Sequence, residues 1–460
     1  MKKVFSLILC VLLVCAVCSG CKSAPAENDI SPESSSQASL SEDDSPVIKV
    51  LVDLFCSRYS QDMTVNTLSN NVPTAINGLM TQLKKNGGPN IEVEYVPGRG
   101  TERDNRITSL HTQIMAGKGP DVYLVVCPSP DTVDFLLEAE HPFLFPYVQS
   151  SMRQNLFLPL DDYIENAQFM EFDKLTPAVM AAGRTEKGQV VLPMTYEFKT
   201  SVFNRADISF YDSLPLTWDE AFASNDPAIW AASSYNNSTF GDALGELADF
   251  DTLKLSFSEE DLARVAYQDR FLLDKNIHEG FVGAPPYINC SFSFHNYRFP
   301  LSSIEAPSLL AEEAPAMVPL YNIHGGVTAN INSFAAIDAN TEHPEEAFFV
   351  LDLLLSKEAQ RDYFFFCLEG TPVHEDLLQA TERVSSVRDD PQPISFSDAG
   401  YGELCRVRSE INAVKFYSPL DVELSKMHDD IFLEGLSTQE EIAEAAAETY
   451  RVLQMMLDES

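Results

Sequence analysis

Positive charge is scarce in this chain: 31 lysines and arginines stand against 69 aspartates and glutamates, a net charge of −38. Nucleic acid is excluded as a partner, because phosphate recognition needs basic patches. A body lying directly on anionic lipid is disfavoured for the same reason. Tryptophan is nearly absent, with only Trp218 and Trp230, both in stretches that read as structural. No long apolar run exists either: residues 4–17 fall short of the roughly 20 apolar residues that span a bilayer. Beyond position 21 the cysteines are Cys56, Cys127, Cys290, Cys367 and Cys405, odd in number and far apart. They make no disulfide framework, and with no CxxC pair among them they make no zinc site. Buried free thiols are expected.

Catalytic signatures are missing as well. There is no GxSxG elbow, HExxH helix, P-loop or EF-hand run. Gly117-Lys118-Gly119 follows a helix pattern and precedes a strand pattern, whereas a phosphate loop uses the start of a helix. The eight histidines are scattered without metal-ligand spacing. Carboxylate pairs are too plentiful to single out a glycosidase couple. The expectation is a protein that is not an enzyme, with no catalytic residue, no metal and no cofactor.

What is present begins at the start of the chain. Lys2 and Lys3 precede the apolar stretch 4–17, and Ser19 and Gly20 lie directly before Cys21. A basic start, a short apolar middle and small residues make a secretory signal. The Ser19-Gly20-Cys21 context resembles the bacterial lipobox, with Cys18 where that motif usually has Leu. The resemblance implies cleavage before Cys21 and lipidation of its thiol. Residues 22–46 are rich in Ser, Glu, Asp and Pro, too poor in apolar side chains to offset their ordering entropy. They read as a flexible acidic tether. Two acyl chains on Cys21 would hold the protein at the outer face of the cell membrane, through the lipid alone.

The remainder, roughly 410 residues, exceeds what one hydrophobic core usually serves, so two lobes are expected. Residues 48–55 and 122–126 read as strands, the second a continuous apolar run of the kind buried in a parallel sheet. Residues 91–96 alternate as a half-buried strand does. Helices are expected over 73–85, where Asn86-Gly87-Gly88-Pro89 stops the pattern, and around Ile107, Leu110 and Ile114, ending at Gly117. This alternation points to a doubly wound α/β lobe. Farther on, 190–192 and 201–203 read as short strands flanking 193–200, and 229–232 as another. Thr217 with Glu220, and Thr438 with Glu441, have the spacing of capping boxes. Gly325 and Gly326 lead a strand over 327–337, followed by a helix with Pro344 in its first turn. Residues 281–319, aromatic and Pro-rich, carry no assignment.

Five stretches together bring a family into view. Residues 116–122 (AGKGPDV) are similar to the "aGkgPDv" signature of the extracellular solute-binding proteins of bacterial ABC importers, in particular the family 1 sugar-binding group. Residues 191–205 (VLPMTYEFKTSVFNR) resemble that family's crossover, and 215–220 (PLTWDE) its "P.TWdE" helix start. Residues 325–355 resemble its glycine-led strand and following helix, and 435–457 its final helix. The matches fall in the family's order and cover nearly the whole mature chain.

The resemblance implies an α/β, two-lobed periplasmic-binding-protein-like (type II) fold with a hinge of crossing segments. Lobe one would hold 47–192 plus 323–370, and lobe two 193–322 plus 371–460, after the signal (1–21) and the tether (22–46). It implies capture of a small solute, a sugar or oligosaccharide, and delivery to ABC permease subunits by a monomer. Asp121 takes a structural part at the sheet edge. Tyr196 and Glu197, just after the crossover, are the leading candidates for ligand contact, followed by Tyr235 and Asn236 in lobe two. Tyr59 and Ser129 sit in loops after first-lobe strands, at the ends where open α/β sheets bind ligands. His324, beside the double glycine, and Tyr287 complete the set. Two other readings stay open: a secreted lipoprotein glycosidase, and the solute-sensing subunit of a membrane signalling system.

Overall fold

The computed structural model describes residues 46–54, 71–98, 100–127, 142–234, 239–279, 284, 287–291, 314–361, 370–378 and 397–460. The leader with Cys21, the tether up to residue 45, and Tyr59, Ser129, Tyr235, Asn236, Cys56 and Cys367 lie outside them. Among the described residues no helix is long and apolar enough to cross a membrane.

The chain opens with the expected alternation. Strand β1 (Val47–Asp53), helix α1 (Asn71–Lys85), β2 (Asn90–Tyr95), α2 (Gly100–Met115) and β3 (Val122–Val126) follow in order. Their sequences fit these roles. In α2, Ile107, Leu110 and Ile114 recur at helical spacing, and all three are buried. Gly117 ends that helix with φ +66°, a left-handed conformation that a side chain would disfavour. All five residues of β3 are buried, as a central parallel strand requires. β1 pairs parallel with both neighbours, Val50 standing opposite Val93 of β2 and Val122 of β3. Asp121 ties the sheet edge together. Its carboxylate accepts from Lys49 N (2.8 Å) and from Thr341 Oγ1 (2.6 Å).

Next come α3 (Val148–Arg153), α4 (Pro177–Ala181) and a small hairpin of β4 (Arg184–Thr185) and β5 (Gly188–Gln189). Then β6 (Val191–Glu197) and β7 (Lys199–Asn204) run almost without a break, yet belong to different sheets. Every residue of β6 is buried, as are five of the six in β7. Here the chain passes from the large sheet into the smaller one.

The second half holds α5 (Trp218–Ala223), α6 (Pro227–Ser233), α7 (Thr239–Leu244), β8 (Ala248–Asp249), β9 (Lys254–Leu255) and α8 (Glu259–Glu279). Strands β10 (Tyr287–Ser291), β11 (Pro315–Pro319) and β12 (Val327–Ile337) follow, then α9 (Pro344–Leu354), β13 (Thr371–Pro372), α10 (Asp398–Ser409), β14 (Ile411–Phe416), α11 (Pro419–Leu433) and α12 (Gln439–Asp458). β10 and β11 flank β7 antiparallel, so part of the unassigned aromatic stretch builds the smaller sheet. Cys290 and Tyr287 belong to β10, and their side chains are not among those described.

Among the described residues, seven strands form the large sheet, in the order β13-β6-β12-β3-β1-β2 with β14 beside β12. β12 is its pivot. Residues 333–337 pair antiparallel with β3, and 333–336 with β6, while 327–331 pair parallel with β14. β14 comes from the stretch that the resemblance puts in lobe two, so it is a further connection at the junction. A first apolar core lines both sheets; a second gathers Trp218, Phe240, Leu262, Leu272, Leu420, Ile431, Ile442 and Leu453 from helices of the second half.

Both expected capping boxes form, at Thr217 and at Thr438. A third, Ser418 with Asp421, starts α11. Two expectations are corrected. Residues 229–232 lie within helix α6 and not in a strand: Pro227 occupies its first turn and Asp226 caps it, accepting from Ala228 N. A short apolar run cannot by itself distinguish the two states. Cys127 is a buried free thiol as expected, but Cys405 stands exposed on α10, where the helix face turns to solvent.

Candidate functional site

Open α/β sheets present their ligand sites beyond the carboxyl ends of the strands. β1 ends at Asp53 and β3 runs into Cys127, whose backbone N donates to Asn332 O of β12 (2.6 Å). The end of β1 is held by an ion pair: Arg103 Nη1 and Nη2 reach the two Asp53 oxygens at 2.8 and 3.0 Å. The same guanidinium donates to Pro97 O and Pro142 O, and both side chains are buried. A planar fork fits a carboxylate in this two-point way.

Beside that edge lies a buried polar cluster built from the crossing strands and two helix starts. Asp242 of α7 is its centre. Lys199 Nζ of β7 is 3.3 Å from Asp242 Oδ2, and Lys415 Nζ of β14 is 3.6 Å from Oδ1. Asn330 Nδ2 of β12 donates to Asp242 Oδ1 at 2.9 Å. Lys415 also reaches Asp421 Oδ1 of α11 at 2.6 Å. Thr328 Oγ1 donates to Asp242 O (2.7 Å), and Asn322 Nδ2 to Asn412 Oδ1 (2.7 Å). Glu197 joins through Tyr417, whose hydroxyl donates to Oε1 at 3.3 Å. Cys127 marks where this cluster meets the sheet edge. Burial pushes its thiol pKa up, and the carboxylates of Asp53 and Asp421 push it the same way.

The charges within the cluster are mutually compensated, as burial demands. Two lysines face two aspartates, and Arg103 answers Asp53. Glu197 accepts a hydrogen bond from the Tyr417 hydroxyl. Burial and neighbouring Lys199 also act on His428 of α11, whose pKa is held below the usual value, with Asp429 opposing.

The structure separates the two leading candidates from the sequence. Tyr196 and Glu197 are consecutive in β6 and so point to opposite faces. Glu197 faces the cluster. Tyr196 is fully buried on the other side, where its hydroxyl accepts from Arg408 Nε of α10 at 2.8 Å. His324 sits exposed in the turn between β11 and β12, its backbone N donating to Asn322 Oδ1 (3.0 Å). It is therefore linked to the cluster through Asn322. Lys199, Asp242, Asn330, Asn332, Lys415, Tyr417 and Asp421 were not singled out from sequence. The signal for two of them was legible: asparagines two apart interrupt the otherwise apolar run VTANINSFAAI. The others come together only through tertiary contacts.

A cavity of about 370 Å³ has Val414 in its wall, the residue next to Lys415 and on the opposite face of β14. Arg153, Arg184, Lys187, Glu186 and Glu246 surround it, and Arg153 pairs with Asp251 at 2.8 Å. Its charges are mixed and its walls include exposed side chains. It is separate from the buried cluster. Among the described residues, no group of three or more His, Cys, Asp or Glu could hold a metal ion.

No protein-family model matches the chain, and no curated protein matches it in sequence. Solved structures do resemble it. An extracellular solute-binding protein family 1 from Alicyclobacillus acidocaldarius is similar at TM-score 0.55 and 14% identity, covering 89% of this chain and 99% of its own. The sugar-binding protein MalE from Xanthomonas citri is similar at TM-score 0.50 and 12% identity, over 90% of this chain and 98% of its own. A de novo designed cysteine esterase, ECH19, is similar at TM-score 0.52 and 14% identity, over 89% of this chain and 98% of its own. At such identities the likeness concerns the fold and not the chemistry. The fold is the mixed α/β, two-lobed solute-binding-protein fold of type II, as the sequence resemblance implied.

Proposed function

We propose, with that fold as premise, that this chain is the solute-binding lipoprotein of an ABC importer. It takes a small carbohydrate between its lobes and hands it unmodified to permease subunits. The observation that carries this reading is the buried, charge-compensated polar cluster at the junction of the crossing strands, next to the carboxyl ends of β1 and β3. A guest held there would touch both lobes, and contact with both favours the closed arrangement over the open one. Glu197, with Tyr417 beside it, is the described member of the expected site residues placed to receive a hydroxyl donor. Tyr59, Ser129, Tyr235 and Asn236 are proposed to join it from loops around the cleft. Tyr196 supports the strand from behind, and His324 stands at the rim.

Cys21 is proposed as the lipid attachment point, with residues 22–46 as the tether that keeps the body near its permease at the extracellular face. The hinge is proposed to lie where 192–193, 322–323 and 370–371 pass between lobes. No covalent chemistry enters this mechanism. The cargo leaves as it arrived.

A thermal-shift screen of the mature protein against mono- and oligosaccharides, polyols and peptides tests the proposal. A ligand at one hundred times its dissociation constant stabilises by about 2.7 kcal/mol, which is readily seen. Stabilisation by one sugar class without turnover of that sugar is the expected result. Hydrolysis of an oligosaccharide, abolished by a single Asp or Glu substitution, would overturn it.

A further inference from the structure

Asn332 of β12 is the residue of the junction whose whole side-chain amide lacks a partner among the described residues. It is only 1% exposed, yet among the described residues neither its Oδ1 nor its Nδ2 has a hydrogen-bond partner. One residue pair earlier on the same face of β12, Asn330 donates to Asp242 but leaves its Oδ1 without a partner. Buried amides in folded proteins are nearly always bonded, and an orphaned one is costly. The surroundings hold the Asn332 amide in place without satisfying it. Its backbone O is fixed by Cys127 N, and its Oδ1 lies so near Gly370 that a Cβ there would come within 2.6 Å. Gly370 has φ +75°, so the lack of a side chain is required twice over at that position.

We infer that Asn332 is the cargo-reading residue of the cleft, and that Asn330 Oδ1 assists it in recognising a neutral polyhydroxylated guest. The inference rests on the solute-binding reading above and narrows it. An amide offers a donor and an acceptor side by side, which suits neighbouring hydroxyls, each of which can both give and take a hydrogen bond. Residues two apart on a strand lie about 7 Å apart, a span that suits the hydroxyls around one sugar ring. An anionic guest is disfavoured, because the two lysines of the cluster are already answered by Asp242 and Asp421. The contrast with Arg103 supports the assignment, since that equally buried group has its partners within the protein.

The test compares wild type with Asn332→Leu and Asn332→Asp. Calorimetry would use glucose, maltose, xylobiose and mannitol as neutral probes, with gluconate and glucosamine as charged ones. Urea unfolding of each ligand-free protein runs alongside. For the neutral probe that wild type binds, Asn332→Leu is expected to lose at least about tenfold in affinity. Its ligand-free unfolding midpoint should be unchanged or higher, because an orphaned buried amide has been replaced by an apolar side chain of similar size. Asn332→Asp keeps an acceptor and loses the donor, and should also bind more weakly. Equal binding by wild type and Asn332→Leu would overturn the inference and leave the importer reading standing. A lower midpoint in Asn332→Leu would overturn it too, by showing that the amide serves the fold through a bridging water. Binding of gluconate or glucosamine alone would refute the neutral class, and binding of no probe at all would bring down the reading beneath it.

Discussion

Arg103 and Asn332 are both buried and both polar, and they are treated in opposite ways. Arg103 meets a carboxylate and two backbone carbonyls. The Asn332 amide has no hydrogen-bond partner among the described residues. The first arrangement holds the end of β1 in place; the second leaves hydrogen-bonding capacity open on β12. On the proposed function, a guest supplies the missing partners only while it is bound.

The comparison can be broken most forcefully at Arg103. Arg103→Ala leaves Asp53 buried without its cation and should destabilise the fold by about 3–5 kcal/mol, read by urea unfolding. If the surviving folded protein also loses cargo affinity as steeply as Asn332→Leu, the division between scaffold and reading residue fails.

An intermediate effect is expected from acid. Burial holds the pKa of His428 below its ordinary value near 6.5. Asp269 of α8 stands 3.5 Å from its Nε2 and Asp429 3.5 Å from its Nδ1, with Lys199 opposing protonation and the Phe240 and Phe432 rings packed against it. Burial lowers His374 in the same way, with Glu171 3.4 Å from its Nε2. A depressed histidine is neutral in both states above pH 6.5, so it costs nothing there. As pH falls through that value the unfolded chain takes up the proton first, and stability declines. The melting temperature should therefore drop between pH 6.5 and 5, and His428→Leu should drop less. Parallel profiles for the two proteins would remove His428 from the account.

The smallest effect belongs to the start of the last helix, α12. Thr438→Ala removes a cap whose side chain accepts from Glu441 N, at a cost of about 1 kcal/mol. Cargo affinity should not change. A loss of affinity comparable to that of Asn332→Leu would mean that the stability of α12, and not the junction's polar strip, sets binding.

Much of the fold was legible in the sequence because its signals are local. Glycine breaks, helical spacing at Ile107, Leu110 and Ile114, and the Thr217 and Thr438 boxes place elements without knowledge of distant contacts. The junction was less legible, since it is made by residues far apart. Lys199, Asp242, Lys415 and Asp421 converge only when β7, α7, β14 and α11 pack together. Tyr196 and Glu197 look equivalent in sequence, but a strand sends neighbours to opposite faces, and the pleat decides which of them meets the cluster. Residues 229–232 show the reverse. Their apolar run is short enough for either state, and the Asp226 cap with Pro227 makes it a helix.

Small-angle X-ray scattering of the mature protein, with and without a saturating neutral sugar found in the binding screen, addresses the central claim most directly. Closure of two lobes around the guest predicts a smaller radius of gyration in the loaded protein, and the same sugar should leave Asn332→Leu unchanged at that concentration. An identical radius for empty and loaded wild type, at proven saturation, would contradict capture by closure.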